Sequence, residues 1–226
     1  MYKAFTISTL ATIALCGTHV PYSAMYPPEA SWPVLELFTT FKTDASLFTW
    51  DGKKLAPYKG ITATIKVDSD RNKIKVDAKV AMPLVGKINA EVLVDLSSGT
   101  AYEYVPFLGL CQKTPLGVIA QLRDVIQKIY SPDGGVTFFD GEASAPWDPA
   151  TMFKFHGSGP DAVVTAYFDE NTKNGKWIAE IPTDPSNPSL VASIPNGEQQ
   201  ASFTDADFQI KGCATYTTEN LVNIWV

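Results

Sequence analysis

The chain has 226 residues, 45% of them apolar and 19% charged, with 15 Gly and 16 Pro. A mean hydropathy of −0.01 argues against both a disordered chain and an integral membrane protein. The 24 acidic and 18 basic residues leave a net charge of −6, and with no Lys/Arg cluster in the chain this balance argues against a nucleic-acid partner.

The N-terminus opens with Lys3, then an apolar run from Phe5 to Leu15, about 11 residues long and short of the ~18 that a bilayer span requires. Small residues follow at Ala14 and Cys16, and again at Ala24. Charge, apolar run and small residues in that order predict a secretory signal peptide over residues 1–24, cleaved between 16 and 24. The competing reading is a buried N-terminal strand or helix. No later stretch reaches transmembrane length, so residues 25–226 are expected to form one exported, soluble domain without a transmembrane segment. Cleavage in that window removes Cys16 and leaves Cys111 and Cys213. An even count in an oxidising compartment implies one disulfide, closing a loop of about 100 residues worth up to ~4–5 kcal/mol on a chain-entropy account. Two unrelated buried thiols are the alternative. With no CxxC and no Cys/His cluster, structural zinc is not expected.

From Val34 to Phe48 the apolar positions fit either an amphipathic helix, with Pro33 at its start, or a first strand. Beyond Tyr58 the period is two. Ile61, Ala63, Ile65 and Val67 alternate with polar residues, and Ser69-Asp70-Arg71-Asn72 reads as a turn. Ile74, Val76, Ala78, Val80 and Met82 continue the pattern. A third run carries Ile88, Ala90, Val92, Val94 and Leu96, and Ser97-Ser98-Gly99 leads into a fourth from Thr100 to about Phe107. Such alternation between turn residues marks antiparallel strands with one buried face.

Residues Pro115 to Tyr130 change period. Val118, Ile119, Leu122, Val125, Ile126 and Ile129 recur at three and four, predicting an amphipathic helix of about four turns. Thr114 stands at its cap and Pro115 at its first position. Strands are then expected over Val136–Asp140, Thr151–His156, Asp161–Asp169, Lys176–Ile181, Ser189–Ile194 and Ala201–Ile210, separated by Asn-, Gly- and Pro-rich turns. The fold class is therefore mainly β: a curved antiparallel half-barrel of about ten strands with one inserted amphipathic helix laid across its open side. Small residues on the apolar faces, among them Ala63, Ala78, Ala90, Ala166, Ala179 and Ala192, leave room for a partly filled apolar cavity. A fully packed core is the other reading.

The stretches VDSDRNKIKVD, VLVDLSSGTAYEY and CQKTPL, followed by FDGEASAPWDP, VVTAYFDENT and FQIKGC, carry a further resemblance. In this order they look like the secreted proteins with a LolA-like half-barrel, ependymin-related in the broad sense. The similarity spans roughly residues 55–215 and rests on strand order and one cysteine position. The chain departs from ependymins in its two mature cysteines and in lacking an N-x-Ser/Thr sequon, since Asn187-Pro188-Ser189 is blocked by proline. What the resemblance implies is a hydrophobic pocket between sheet and helix that binds lipid or another hydrophobic molecule.

Catalytic patterns are few. His156 is the main histidine of the mature chain and reads as a turn residue. No G-x-S-x-G elbow and no glycine-rich phosphate loop occur. Asp140, Glu142 and Asp148 flank Trp147, and an acid pair beside an aromatic can serve glycoside chemistry, but hairpin-end acids are usually solvated. Asp68-Ser69-Asp70-Arg71-Asn72 offers oxygen ligands at alternate positions, yet Lys73 and Lys79 replace the glycine and glutamate of an EF-hand loop. Weak calcium binding is the only cofactor reading, and a hairpin turn explains the segment without it. Tyr102, Tyr104, Phe107, Leu108 and Leu110 run up to Cys111 and could line a pocket mouth or belong to the core. Trp32, Trp50 and Trp225, near ends and loops, are candidates for contacts with other molecules.

The sequence thus points to a non-enzymatic, secreted carrier of a hydrophobic small molecule or lipid. Its pocket is expected to be walled by Ile65, Val76, Ala78, Val80, Ala90, Val92 and Tyr102 and lidded by Val118, Leu122 and Ile126. An extracellular structural or adhesive subunit, self-associating through edge strands, is the second reading. A hydrolase built on the acids is the third.

Overall fold

A computed structural model describes residues 32–213, apart from 36, 83, 117–120, 133, 134, 136, 160, 161 and 185. The expected signal peptide, Val118 and Trp225 lie outside the described residues. Twelve strands form one sheet: β1 (Thr40–Trp50), β2 (Leu55–Asp68), β3 (Lys73–Met82), β4 (Gly86–Asp95), β5 (Thr100–Val105), β6 (Leu110–Pro115), β7 (Phe138–Ala145), β8 (Asp148–Ser158), β9 (Ala162–Asp169), β10 (Gly175–Pro182), β11 (Ser189–Ser193) and the two-residue β12 (Gln199–Gln200). Among the described residues one α-helix, α1 (Leu122–Ile129), follows β6.

The sheet is curved, antiparallel throughout and open, in the order β6-β5-β4-β3-β2-β1-β11-β10-β9-β8-β7, with β12 beside β1. It is not one meander but two. β1 to β6 fold outward in one direction, β11 to β7 in the other, and β1 joins them by pairing with β11, from Ser46↔Ser193 to Trp50↔Ser189. The chain leaves the first meander at one edge of the sheet, β6, and enters the second at the opposite edge, β7. Residues 116–137 must therefore cross the whole face. At about 4.8 Å per strand a flat sheet this wide would be ~48 Å across. Among the described residues of that connector, Leu122–Ile129 is helical and at ~1.5 Å rise per residue covers only about a quarter of that width. The crossing helix is a consequence of the topology.

The turns follow from side-chain chemistry. Asp68 accepts the backbone N–H groups of Asp70 and Arg71 at 3.0 and 3.1 Å. Asp95 does the same for Ser97 and Ser98, and Asp169 for Asn171 and Thr172. An aspartate ending a strand thus closes the turn that begins the next. Between Ser46 and Phe48 the β1–β2 register shifts. There Lys59 and Gly60 adopt φ of 48° and 55°, and a Cβ on Gly60 would stand 3.1 Å from the Ala81 methyl. Glycine permits both the left-handed backbone and the close approach that bends β2.

Two expectations are corrected. The helix runs over Leu122–Ile129 and not from Pro115, because Leu110–Pro115 pairs with β5 as the edge strand β6, from Val105↔Leu110 to Thr100↔Pro115. Ala201–Ile210 is not a strand. Beyond β12 the chain runs through 3-10 turns at Asp205–Phe208 and Lys211–Cys213. Of the two readings of Val34–Phe48, the strand is the observed one from Thr40 onward, and the described residues ahead of it are neither strand nor helix.

Candidate ligand-binding site

One face of the sheet, called here the inner face, is largely apolar. Register aligns its residues in rows across the strands. Ala45↔Ala63↔Ala78↔Ala90 form one row, and Thr43↔Ile65↔Val76↔Val92 the next. The methyl-sized row lies beside a row of larger side chains, and all four of its alanines are buried. Ala63, Val76, Ala78, Ala90 and Val92 are buried in one cluster with Leu122, while Ile65 and Ile126 pack on its margin. The expected pocket residues among these are brought together. Val80 lies on the same face but beyond the cluster, half-buried and opposite Ile88.

Helix α1 is seated on this cluster at its first residue. Leu122 is 1% exposed, and its backbone N–H donates to Asn72 Oδ1 at 2.8 Å. Arg123 pairs with Asp70 of the same turn. At the other end, Tyr130 stacks edge-on against Phe155 and Phe168 of the second meander, with centroids 5.2 and 4.8 Å apart. The helix and Tyr130 therefore reach from the β2–β3 turn to β8 and β9. The second half of the inner face holds Phe155, Ala166 and Phe168, packed by Trp32, Leu35 and Leu37. Leu47, Leu190 and Ala192, with Tyr58, Ile61 and Ile178 beside them, join the two halves.

Tyr102 is a correction. Its parity puts it on the outer face, packed with Leu93, Tyr104, Phe203, Phe208 and Ile210. Opposite Val94 and Val92, the inner positions of β5 are Ala101 and Glu103. The segment after β12 straps the outer face: Lys66 pairs with Asp207 at 3.1 Å, Arg71 with Asp205 at 2.8 Å, and Lys75 Nζ donates to the Gln209 carbonyl at 3.1 Å. Cys111 and Cys213 are joined as a disulfide, their Cα atoms 5.4 Å apart. A Cβ on Gly212 would fall 2.0 Å from the Tyr104 ring, so only glycine lets the strap lie flat there. Phe107 and Leu108, also read toward the pocket, are exposed.

The inner face carries carboxyls that sequence reasoning missed. Glu103 and Glu180 occupy inner positions opposite Val92 and Leu190 respectively. Both are half-buried, and burial raises both above the ordinary carboxyl range. One Glu180 oxygen is buried without a hydrogen-bond partner. Glu198, just ahead of β12, is pushed up to about 7 by burial, although the Phe38 backbone N–H donates to it. Burial, and then the negative charge of Glu198, raises the Tyr130 hydroxyl in turn. The inner positions of the strands β1–β5 and β8–β10 carry no lysine or arginine among the described residues.

A polar cleft of ≈ 530 Å³ opens at the β2–β3 turn, lined by Leu37–Thr40, Asp68, Asp70, Arg71, Arg123 and residues 200–203. Its charged side chains neutralise one another through the Arg71–Asp68 pair at 2.7 Å and the Arg123–Asp70 pair. Asp68 spends both oxygens on the turn and on Arg71. The acids near Trp147 are likewise engaged. Asp140 bridges His156 Nδ1 at 2.7 Å and Lys154 at 3.0 Å, while Asp148 accepts from Trp177 Nε1 at 2.8 Å and pairs with Lys176. Trp50, Trp147, Trp177 and Tyr167 pack edge-on against one another on the outer face, and Trp32 sits in the inner core.

No protein-family model and no curated protein matches the chain. Among solved structures, an uncharacterized conserved protein from Thermus thermophilus is 11% identical to it, over 75% of this chain and 84% of that one, with a TM-score of 0.45. That likeness is too low to carry an argument. Among the described residues no helix is long and apolar enough to cross a membrane.

Proposed function

We propose that the protein is a non-enzymatic, secreted carrier of a hydrophobic small molecule or lipid, held along the inner face. The observation that carries this reading is the alanine row, Ala45–Ala63–Ala78–Ala90, of which Ala63, Ala78 and Ala90 cluster with Leu122 at the start of the one helix among the described residues. Once the helix start yields its place, a row of methyl-sized side chains flanked by valine and isoleucine offers a slender apolar molecule a trough, at about 25 cal/mol per Å² of surface withdrawn from water. The resemblance of residues 55–215 to LolA-like half-barrel proteins points the same way, and a Cys111–Cys213 disulfide suits an oxidising compartment.

The inner carboxyls refine the ligand class. Glu103 and Glu180 stand in apolar surroundings with no cation on the described strand positions of that face. A fatty-acid carboxylate would meet like charge there, whereas an alcohol, amide or amine head could donate to them. The favoured ligand is a neutral or cationic amphiphile. The reading of a self-associating structural subunit depends on the sheet edges, and β6 ends in Lys113-Thr114-Pro115, residues that discourage edge-to-edge pairing.

The test is organic extraction and native mass spectrometry of protein purified from its secreting host, followed by uptake of fluorescent long-chain probes. Bound lipid, and uptake of a fluorescent alcohol or amine in preference to the matched fatty acid near neutral pH, is the expected result. Ala78→Phe should abolish that uptake. Empty protein that takes up none of the probes refutes the reading.

A further inference from the structure

Exposed apolar side chains gather at one end of the sheet, beside three lysines that have no carboxylate partner among the described residues. Of the large apolar side chains most exposed among the described residues, five stand at two hairpin ends: Met82 (42%) at the end of β3, Leu84 (108%) and Val85 (48%) between β3 and β4, and Phe107 (64%) and Leu108 (48%) between β5 and β6. The turns are neighbours, because β4 pairs with β5 and the 3-10 turn Pro106–Leu108 packs against β4. Folding does not explain these residues. Leu84 adopts φ 69°, a conformation that asparagine or glycine would take at less cost, and its side chain lies wholly in solvent.

Lysines surround the turns. Register places Lys87 opposite Ala81 and Lys79 opposite Asn89, and Lys59 sits on the bulge that abuts Ala81. All three are exposed, and none belongs to an ion pair among the described residues. By contrast, Lys66, Arg71, Lys73 and Lys75, toward the opposite end of the same strands, are all paired with carboxylates. Lysines without a carboxylate partner, Lys59 over the Tyr58 ring among them, beside protruding apolar side chains in a chain of net charge −6 match a surface that is greasy inside and anionic at its rim.

We propose that this end of the sheet is a membrane-docking tip, at which the β3–β4 and β5–β6 turns enter the interfacial layer of an anionic bilayer while Lys59, Lys79 and Lys87 meet the headgroups. A second copy of the chain fits less well, since a two-fold contact through the tip would oppose the same unpaired lysines. The tip stands on different residues from the inner trough and does not depend on a carried ligand.

Flotation of the full chain with vesicles of phosphatidylcholine alone, and of phosphatidylcholine mixed with phosphatidylserine, tests it. The protein should float with the anionic vesicles and lose that partition as salt is raised. Leu84→Asp combined with Phe107→Asp should lower the partition at least roughly tenfold. Lys79→Ala combined with Lys87→Ala should lower it about fivefold per lysine at low salt. Val34→Asp, at an exposed apolar position ahead of β1 and so toward the opposite end of the sheet, should leave it unchanged. All these side chains are exposed, so the variants are expected to keep the wild-type circular dichroism. Absence of wild-type flotation, flotation indifferent to the Leu84 and Phe107 substitutions, or a concentration-dependent dimer that those substitutions dissolve would each overturn the proposal. Probe uptake measured on the same variants separates loss of docking from loss of carriage.

Discussion

Glu198→Gln should remove a pH dependence of stability that the fold has built into itself. The Glu198 carboxyl is pushed from 4.5 to about 7, with burial as the largest cause and the Phe38 N–H acting against it. Because the folded state holds this proton more tightly than the unfolded chain, the group costs nothing below pH 4.5, where both states are protonated. The cost grows as pH rises and is complete once pH passes about 7. A shift of this size corresponds to about 2–3 kcal/mol at alkaline pH, after allowance for the part of the side chain still in contact with water. Glutamine keeps an oxygen for the Phe38 N–H and carries no charge. The variant should match the wild type near pH 4 and exceed it by about 2–3 kcal/mol near pH 8. Urea unfolding followed by tryptophan fluorescence, with ΔG extrapolated at each pH, measures the difference. Subtracting the two curves cancels every other titrating group, including Asp207, which the Thr204 N–H and Lys66 hold at about 2. A difference that does not change between those pH values, or that grows toward acid, would refute the reasoning.

Two other perturbations address the cover and the strap. Leu122→Ala should cost about 2–5 kcal/mol, read as a lowered urea midpoint, because the side chain is 1% exposed and seats the helix start on the inner cluster. Cys213→Ser opens a loop of 102 residues and should cost about 2–5 kcal/mol, with faster proteolysis after β12 as the strap loosens.

Much of the first meander is legible in the sequence. Period-two alternation locates β2 to β5 to within a few residues, because each strand has one wet and one dry side and its turns are closed by local aspartates. The errors have definable causes. Tyr102 and Tyr104 read toward the pocket because Glu103 makes the other parity of β5 look solvent-facing. Burial of Glu103 against Val92 reverses that assignment. The residues from Pro115 to Gln121 share the helical period of α1, but pairing of Leu110–Pro115 with β5 claims the start of the segment for the sheet. Ala201–Ile210 alternates like a strand, yet it lies over the outer face, where salt bridges and a disulfide replace ladder hydrogen bonds. Glu198 leaves no signal at all, since its environment is assembled from Phe38, Tyr130 and the region before β12, remote from one another in the chain.

The amino-acid pattern alone determined that the chain is mainly β, where most of its strands begin and end, and that Cys111 and Cys213 pair. Only the tertiary structure decided that β1 pairs with β11, that the chain crosses from one edge of the sheet to the other, and which side of each strand is inner. Alternation is a local property, identical whichever neighbour a strand chooses. Neighbour choice depends on which faces can be buried together, and for β1 that partner lies more than a hundred residues away.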